Sequence, residues 1–231
     1  YHGEGTLFRG NGSKYISGKW VFGKPNGPVQ FYFPDNGLLQ YEGGLKKMDD
    51  GGFVFQGQGT LYNQTGQSVY QGLWEDGTRS GNGTAWLEDG SIYSGNWVDD
   101  YPDGKGTYLF PDGTEYEGGF IRGKKHGQGT FKEADGFVSY DGEWKDGQRF
   151  GRGRVNKRDS SSYEGDWLDG KPHGNGMFTY PDGRVYTGTM KQGLRQGLGE
   201  LRRSDGSIAY EGEWDRNCLL YTSPSPRDAL E

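Results

Sequence analysis

Hydrophobic and polar residues alternate along this chain in short segments that recur. In one well-preserved copy, Tyr163, Gly165 and Trp167 alternate with Glu164 and Asp166. Successive side chains of an extended strand point to opposite faces, so this alternation predicts a β-strand with one aromatic face and one acidic face. The array shows no helical period.

The second half of the same copy predicts a second strand. Four of its residues are predicted to share one face: Gly174, Gly176, Phe178 and Tyr180. Between the halves, Asp169-Gly170 is expected to open a loop, and Pro181-Asp182-Gly183 supplies the turn that closes the unit. Each copy therefore predicts one β-hairpin, followed by a turn into the next copy.

The aromatic half of the hairpin recurs along most of the chain. The string Tyr-x-Gly begins at Tyr41, Tyr70, Tyr93, Tyr116, Tyr140, Tyr163, Tyr186 and Tyr210. From Tyr70 onward the copies are 23 or 24 residues apart, and we assign Tyr15 to the series with one extra residue before Gly18. A lone hairpin is marginal in water, so the copies must stack. The sequence predicts an all-β fold, an elongated single twisted antiparallel sheet of tandem β-hairpin repeats.

Glycine is abundant, at 45 of 231 residues, whereas hydrophobic residues make up 30% and aromatic residues 15%. A glycine within a strand is destabilising unless something must approach the backbone closely. We expect the Tyr and Trp rings of the same and adjacent hairpins to lie across rows of glycines. The predicted core is a strip of aromatic rings rather than a globular interior.

The array is predicted to span residues 15–217 in about nine copies, after a partial copy in residues 1–14. The first two copies are irregular, because Gly27-Pro28-Val29 replaces Gly-x-Gly and an insert from Lys46 to Phe55 is expected to lengthen a loop. Residues 218–231 share nothing with the repeat and are interpreted as a non-native or disordered tail. A sequence that begins without Met and ends within a repeat is expected to be a fragment.

The pattern Tyr-x-Gly-x-Trp-x-x-Gly-x-x-x-Gly-x-Gly resembles the MORN (membrane occupation and recognition nexus) repeat over about residues 15–217. Six in-register copies from Tyr70 onward carry the likeness. The resemblance implies binding or positioning. Arrays of this family occur in ciliary radial spoke heads, membrane-junction proteins, cytoskeletal scaffolds, plant phosphatidylinositol-phosphate kinases and a histone lysine methyltransferase. The fold alone does not choose among these hosts.

No constellation of reactive groups predicts catalysis in this segment. His126 and His173 each precede a Gly-x-Gly and are interpreted as one turn position copied twice. The Gly-x-Gly pairs lack the third glycine and the following helix of phosphate-binding loops. Cys218 is the only cysteine, so no Cys/His metal spacing exists. We predict no catalytic residue, metal site or cofactor, while a catalytic domain beyond the ends of the segment stays open.

The aromatic stripe has two interpretations. It is either internal packing over the glycine rows or the floor of a groove that receives a peptide or a helix, and both can hold together. The candidate binding residues on this face are Tyr70, Trp74, Tyr93, Trp97, Tyr116, Phe120, Tyr140, Trp144, Tyr163, Trp167 and Tyr186.

The net charge of −6 predicts no nucleic-acid binding. Basic residues nevertheless concentrate in the second half of the array. The candidate basic patch comprises Arg149, Arg152, Arg154, Lys157, Arg158, Lys191, Arg195, Arg202 and Arg203. These residues either keep a solvated face soluble or bind an acidic partner or anionic lipid.

The predicted function is a non-enzymatic scaffold that binds a protein partner, as a peptide or a helix, along an aromatic and glycine groove. Two alternatives stay open. One is recruitment to an anionic membrane, and the other is an accessory region of a truncated phosphatidylinositol-phosphate kinase or histone lysine methyltransferase. A single cysteine is typical of a reducing compartment, so we expect a cytoplasmic protein, cytoskeletal, ciliary or at the inner face of a membrane.

Overall fold

A computed structural model describes residues 2–49 and 51–220. The chain divides into two compact units, Tyr1–Lys124 and Lys125–Glu231. The strands of the first unit are β1 (Gly3–Phe8), β2 (Lys14–Val21), β3 (Lys24–Tyr32), β4 (Leu39–Lys47), β5 (Phe53–Tyr62), β6 (Ser68–Glu75), β7 (Thr78–Trp86), β8 (Ile92–Val98), β9 (Tyr101–Leu109) and β10 (Glu115–Ile121). Those of the second unit are β11 (Lys124–Lys132), β12 (Val138–Lys145), β13 (Gln148–Asn156), β14 (Ser162–Leu168), β15 (Lys171–Thr179), β16 (Val185–Lys191), β17 (Leu194–Arg202), β18 (Ile208–Asp215) and β19 (Cys218–Leu220).

Within each unit, every strand pairs antiparallel with the next strand along the chain. The described residues contain strands and turns but no helix. The predicted all-β fold of tandem antiparallel hairpins is therefore confirmed. Residues 221–231 of the predicted tail lie outside the described residues. Cys218–Leu220 pairs with β18, so regular structure continues past the predicted boundary at residue 217.

A two-residue turn joins the strands of each well-preserved hairpin. In β14–β15 the turn is Asp169-Gly170, with φ of 51° and 76°, and Leu168 lies opposite Lys171. Two left-handed residues in succession match the type I′ turn, whose twist suits the flanking strands. The connection is shorter than the predicted loop, because the second strand begins at Lys171 rather than at Gly174.

A turn of five residues, or six between β3 and β4, leads from each hairpin to the next. After β15, the Tyr180 amide donates to the Arg184 carbonyl at 2.8 Å, so Tyr180 lies in this turn and not in the predicted strand. The Asp182 carboxylate accepts the backbone N–H of Arg184 at 3.1 Å. This hydrogen bond and the nearby Arg184 guanidinium lower the pKa of Asp182.

The hairpin turn of a repeat is also hydrogen bonded to a strand of the preceding repeat. The Gly170 amide donates to the Arg149 carbonyl at 3.0 Å, and the Gly193 amide donates to the Pro172 carbonyl at 2.8 Å. The same bond links Asp100 to Arg79 in the first unit. The second residue of each turn therefore contacts a fixed position of the preceding repeat.

The two faces of the sheet differ as predicted from the alternation. We call the face that bears Tyr163, Gly165 and Trp167 the ring face, and the opposite face, with Glu164 and Asp166, the polar face. Both names apply to the equivalent positions of every repeat.

One glycine of almost every strand lines up with its neighbours across the sheet. In the first unit the row runs Gly5, Gly18, Val29, Gly43, Gly59, Gly72, Gly83, Gly95, Gly106 and Gly118. In the second unit it runs Gly129, Gly142, Gly153, Gly165, Gly176, Gly188, Gly199 and Gly212. A phenol lies across two of these glycines in the repeats of Tyr41, Tyr70, Tyr93, Tyr140, Tyr163 and Tyr186. A Cβ on Gly176 would overlap the ring of Tyr163.

A β-bulge gives the tyrosine hydroxyl its partner. The ladder pairs Gly165 with Gly176 and then Trp167 with Pro172, so Asp166 is displaced from it. The Tyr163 hydroxyl donates to the Asp166 carbonyl at 3.0 Å, which satisfies that group. The same bond to the carbonyl three residues on is made by Tyr41, Tyr70, Tyr93, Tyr116, Tyr140, Tyr186 and Tyr210.

The tryptophans join one repeat to the preceding one. The Trp167 indole N–H donates to the carbonyl of Gly153 at 3.0 Å. Its ring meets Tyr163 of its own strand and Tyr140 of the preceding repeat edge-to-face, with centroids 5.3 and 5.5 Å apart. Equivalent indole bonds are made by Trp20, Trp74, Trp97, Trp144 and Trp214. The predicted aromatic strip is therefore a column of alternating Tyr and Trp rings.

The first copy departs from the predicted register. Ile16, not Tyr15, holds the tyrosine position, because Ile16, Gly18 and Trp20 share the ring face and Ile16 is fully buried. Ile16 has no phenol to lie over the row, and Val29 takes the place of the row glycine beside it. The Ile16 and Val29 side chains together fill the space that one Tyr ring and one glycine share elsewhere.

The insert in the second copy lengthens strands as well as the loop between them. Leu45, Lys46 and Lys47 of β4 pair with residues 53–55 of β5, so the unpaired connection begins only after Lys47. Phe55 stacks on Tyr41, with ring centroids 3.9 Å apart. The loop is longer than in the other copies, as predicted, and the ends of the insert also extend the strands, because its apolar residues find partners on the ring face.

Substituting Gly176 by Ala should lower the free energy of unfolding by about 3 kcal/mol, because the new methyl overlaps the Tyr163 phenol. The matched control is Gly5→Ala in the glycine row of the first unit, where a Cβ would lie 3.5 Å from Trp20 at ordinary contact distance. That control should change the stability by less than about 0.5 kcal/mol. Urea unfolding of both variants measures the difference, and equal losses would contradict the role given to the ring.

Raising the pH above 10 should destabilise the array. Burial raises the pKa of Tyr70 and of Tyr93 to about 12, and it also raises the pKa of Tyr41 and Tyr163. The unfolded chain therefore loses phenolic protons at lower pH than the folded chain. The free energy of unfolding should be level below the ordinary tyrosine pKa of 10.0 and fall as the pH rises toward 12. Thermal unfolding followed by circular dichroism checks this, and a constant melting temperature across that window would contradict it.

Candidate functional site

The predicted aromatic binding residues lie in the core of the repeats. Each is at most 7% exposed: Tyr70, Trp74, Tyr93, Trp97, Tyr116, Phe120, Tyr140, Trp144, Tyr163, Trp167 and Tyr186. Contacts with the glycine row and with neighbouring rings account for these side chains. A direct role for them in binding a partner stays a prediction, since little of their surface is open.

The structure distributes the nine predicted basic residues over three locations. Arg149 and Arg195 lie on the ring face, whereas Arg152, Arg154, Lys191 and Arg202 lie on the polar face, and Lys157, Arg158 and Arg203 lie in turns between repeats. Four have carboxylate partners: Arg152 with Asp166, Arg154 with Glu164, Arg158 with Asp135, and Arg202 with Glu200. Lipid binding by this set stays a prediction, but its members do not share one surface.

The ring-face cations stack on aromatic rings. The Arg149 guanidinium lies 4.8 Å from the Tyr140 ring centroid and 5.3 Å from that of Trp167. The Arg195 guanidinium lies in the same way over the rings of Tyr186 and Trp214. A guanidinium over an aromatic face adds a cation–π attraction and covers apolar surface with its stem.

Sequence reasoning missed two further cations at this position. Arg79 lies 4.2 Å from the Trp97 ring, and Lys125 lies 4.9 Å from that of Trp144. Burial, together with the nearby Arg149 charge, lowers the pKa of Lys125. The sequence contains a signal for these cations, since each follows the tryptophan position of its own repeat by five residues.

A groove lies on the polar face of the second unit. Its volume is about 760 Å³, and its floor is the backbone of the glycine row, chiefly Gly153, Gly165 and Gly176. We call it the polar groove. Its walls are formed by Gln128, Asp141, Arg152, Arg154, Glu164, Asp166, Asn175 and Thr187. The first unit has a similar, smaller groove of about 540 Å³ around Gly5 and Gly18.

The geometry of the polar groove follows from the alternation. The rings cover the glycines on one face only, so on the other face the row is a trench between two lines of side chains. On one wall Arg152 Nε lies 3.7 Å from Asp166, and on the other Arg154 Nη1 lies 3.6 Å from Glu164. The polar groove was not predicted from the sequence, because the glycines were interpreted only as the surface that the rings cover.

The structure places both predicted turn histidines in strands. His126 and His173 lie in β11 and β15 rather than in turns, because these strands begin directly after the two-residue turns. Among residues 2–49 and 51–220, no group of three or more His, Cys, Asp or Glu residues is placed to hold a metal ion. The same part of the chain contains no helix long and apolar enough to cross a membrane.

Comparison with curated proteins finds no match. Among solved structures, the chain is similar to the TCP domain of Drosophila melanogaster SAS-4 (dCPAP) in complex with a proline-rich motif of Ana2 (dSTIL). The identity is 12%, the TM-score is 0.41, and 74% of this chain and 90% of that chain are covered. For the wild-type TCP10 domain of Danio rerio CPAP the identity is 16%, the TM-score 0.28 and the coverage 92% and 96%. These TM-scores are low, and neither likeness bears on what this chain binds.

The family model of the MORN repeat matches residues 17–38, 70–92, 93–115, 116–137, 140–155, 163–183 and 186–208. These seven stretches make up more than half of the chain. They contain the tyrosine, row glycine and tryptophan positions whose contacts build most of the hairpins. The first of them begins at Ser17 and so includes an irregular copy. The chain belongs to the MORN repeat family.

Proposed function

We propose that the array is a protein-binding scaffold whose polar groove receives an extended segment of a partner. The observation that carries the proposal is the bare glycine floor. Row residues such as Gly153, Gly165 and Gly176 point toward the rings, so the row projects no side chain into the groove, and another backbone can approach the sheet between the walls. The ring face offers no comparable access at its buried rings.

The dimensions of the polar groove suit a short peptide. The row glycines that line it run from Gly142 on β12 to Gly188 on β16, a span of five strands. At ~4.8 Å between strands the floor is about 19 Å long, which accommodates about six residues of extended chain at ~3.3 Å each. The floor amides already belong to the ladder, so side chains on the walls must supply the recognition.

The walls carry both signs of charge. Arg152 and Arg154 face Asp166 and Glu164 in exposed ion pairs, which contribute little to folding stability. Such pairs can open and re-form with a ligand at small cost. A peptide that carries both a basic and an acidic side chain complements this groove better than a purely apolar one.

Three further hypotheses from the sequence remain part of the proposal, and no structural observation supports them. Recruitment to an anionic membrane is one, and attachment to a kinase or methyltransferase domain is another. The third is a cytoplasmic location near the cytoskeleton, a cilium or a membrane. Each concerns the host protein rather than the groove.

Filling the polar groove should weaken the binding of peptides that occupy it. Binders are selected from a random dodecapeptide library displayed on phage, with the full chain as bait, and their Kd values are measured by fluorescence polarisation. The double variant Asn175→Trp/Thr187→Trp places two rings over the glycine floor, and we expect it to weaken binding at least about tenfold, or ~1.4 kcal/mol.

The control is Lys171→Trp, which adds a Trp at the exposed first residue of β15, outside the groove. It should leave Kd unchanged. If every selected peptide binds the groove-filled chain as tightly as the wild type, the proposed function is wrong. Sedimentation of the wild-type chain with anionic phosphatidylserine vesicles, but not with neutral ones, would instead place the membrane proposal first.

A further inference from the structure

Three arginines occupy one repeated position on the ring face. Arg79, Arg149 and Arg195 each lie between a Tyr ring of their own repeat and a Trp ring of the next. The backbone carbonyl of each accepts the amide of the second turn residue of the next hairpin. The three sites are therefore equivalent in backbone geometry, and differences between them reflect the side chains around them.

In two of these sites the second turn residue accepts hydrogen bonds from the guanidinium group. Arg79 donates from Nε to the Asp100 carboxylate at 3.0 Å and from Nη2 to the Asp100 carbonyl at 2.8 Å. Arg195 makes the same two contacts with Asn217, at 3.2 and 3.1 Å. A side chain with an oxygen at this turn position therefore completes the guanidinium site within the chain.

Arg149 lacks this partner, because its second turn residue is Gly170. Within the described part of the chain, the Arg149 side chain has no hydrogen bond and no ion pair. Glu133 and Asp169 line the space around it, and burial lowers the pKa of Arg149 more than Tyr140 and Glu133 raise it. The guanidinium is half-buried against two rings, yet none of its five donors is used.

Open space adjoins these donors. Arg149 and Phe131 line two cavities of about 400 and 600 Å³. The larger one also contains Phe137, and its ionisable lining comprises three cations and two carboxylates, one of the cations, Arg158, being already paired with Asp135. Aromatic walls and the unused donors of Arg149 complement a single carboxylate on an apolar stem. A phosphate with two negative charges would be repelled more strongly by Glu133 than a carboxylate with one.

We infer that Arg149 anchors an Asp or Glu side chain of a protein partner on the ring face of the second unit. The carboxylate takes the place that Asp100 and Asn217 fill at the equivalent positions, and it accepts charge-assisted hydrogen bonds from the fork of the guanidinium. This site lies on the opposite face from the polar groove and does not depend on it.

The chain itself supplies the substitution that tests the anchor. Gly170→Asn places an internal acceptor beside Arg149. Asn217 adopts the same conformation at the equivalent turn position, with φ of 72° against 76° for Gly170. The matched control is Gly193→Asn, where the preceding repeat has Pro172 in place of an arginine. A Cβ at Gly170 or at Gly193 meets no atom within 4 Å, so both variants should fold.

The dodecapeptide library provides the probe, with the full-length wild-type chain as bait. We expect one class of peptides to share an Asp or Glu and to bind Gly170→Asn and Arg149→Gln about tenfold more weakly than wild type, while Gly193→Asn leaves their affinity unchanged. Replacing the shared acid by its amide should cause the same loss. These peptides should still bind the Asn175→Trp/Thr187→Trp chain, which separates this result from the groove.

Three outcomes would overturn the inference. One is the absence of any peptide class that distinguishes Gly170→Asn from Gly193→Asn. Another is a class that does so without sharing an acidic residue. The third is sedimentation with phosphatidylserine vesicles that Gly170→Asn abolishes and Gly193→Asn preserves, since Arg149 would then bind a lipid headgroup.

Discussion

The tyrosine ring that lies across a pair of glycines is the interaction on which the rest of this structure depends. An open sheet has no second layer to bury its apolar side chains, so it must bury them against its own backbone. Tyr163 does this over Gly165 and Gly176, and its hydroxyl satisfies the Asp166 carbonyl that the bulge displaces from the ladder. The tyrosine ring, the glycine row and the β-bulge therefore depend on one another, because removing any of them exposes apolar surface or leaves a polar group unpaired.

The irregular copies show that the constraint is one of shared volume. Where Ile16 replaces the tyrosine, the row position holds Val29, and both side chains are buried. Where the second copy carries an insert, Phe55 stacks on Tyr41 at the place that arginine, lysine or proline holds elsewhere. The repeat tolerates such changes because each hairpin contacts chiefly its neighbours, so a local substitution needs only a local compensation.

The same packing decides where a partner can bind. Rings that cover glycines have little open surface, so the more accessible features are those that the packing leaves exposed. On the polar face these are the uncovered side of the glycine row and its charged walls. On the ring face they are the cations over the column of rings. Among these cations, Arg149 differs from Arg79 and Arg195 because the turn residue beside it is Gly170, which has no side chain to accept a hydrogen bond.

The sequence by itself determined the hairpins, their strand alternation and their tandem order, because these follow from the spacing of Tyr, Gly and Trp within about 23 residues. It also placed the rings over the glycines. Only the tertiary structure decided that Ile16 rather than Tyr15 faces the core, that Lys46 and Lys47 pair within a strand, and which face of the glycine row stays open. It alone separated Arg149 from Arg195, which the sequence grouped in one basic patch. These outcomes depend on contacts between side chains one repeat apart, and local alternation carries no information about which partner a neighbouring hairpin presents.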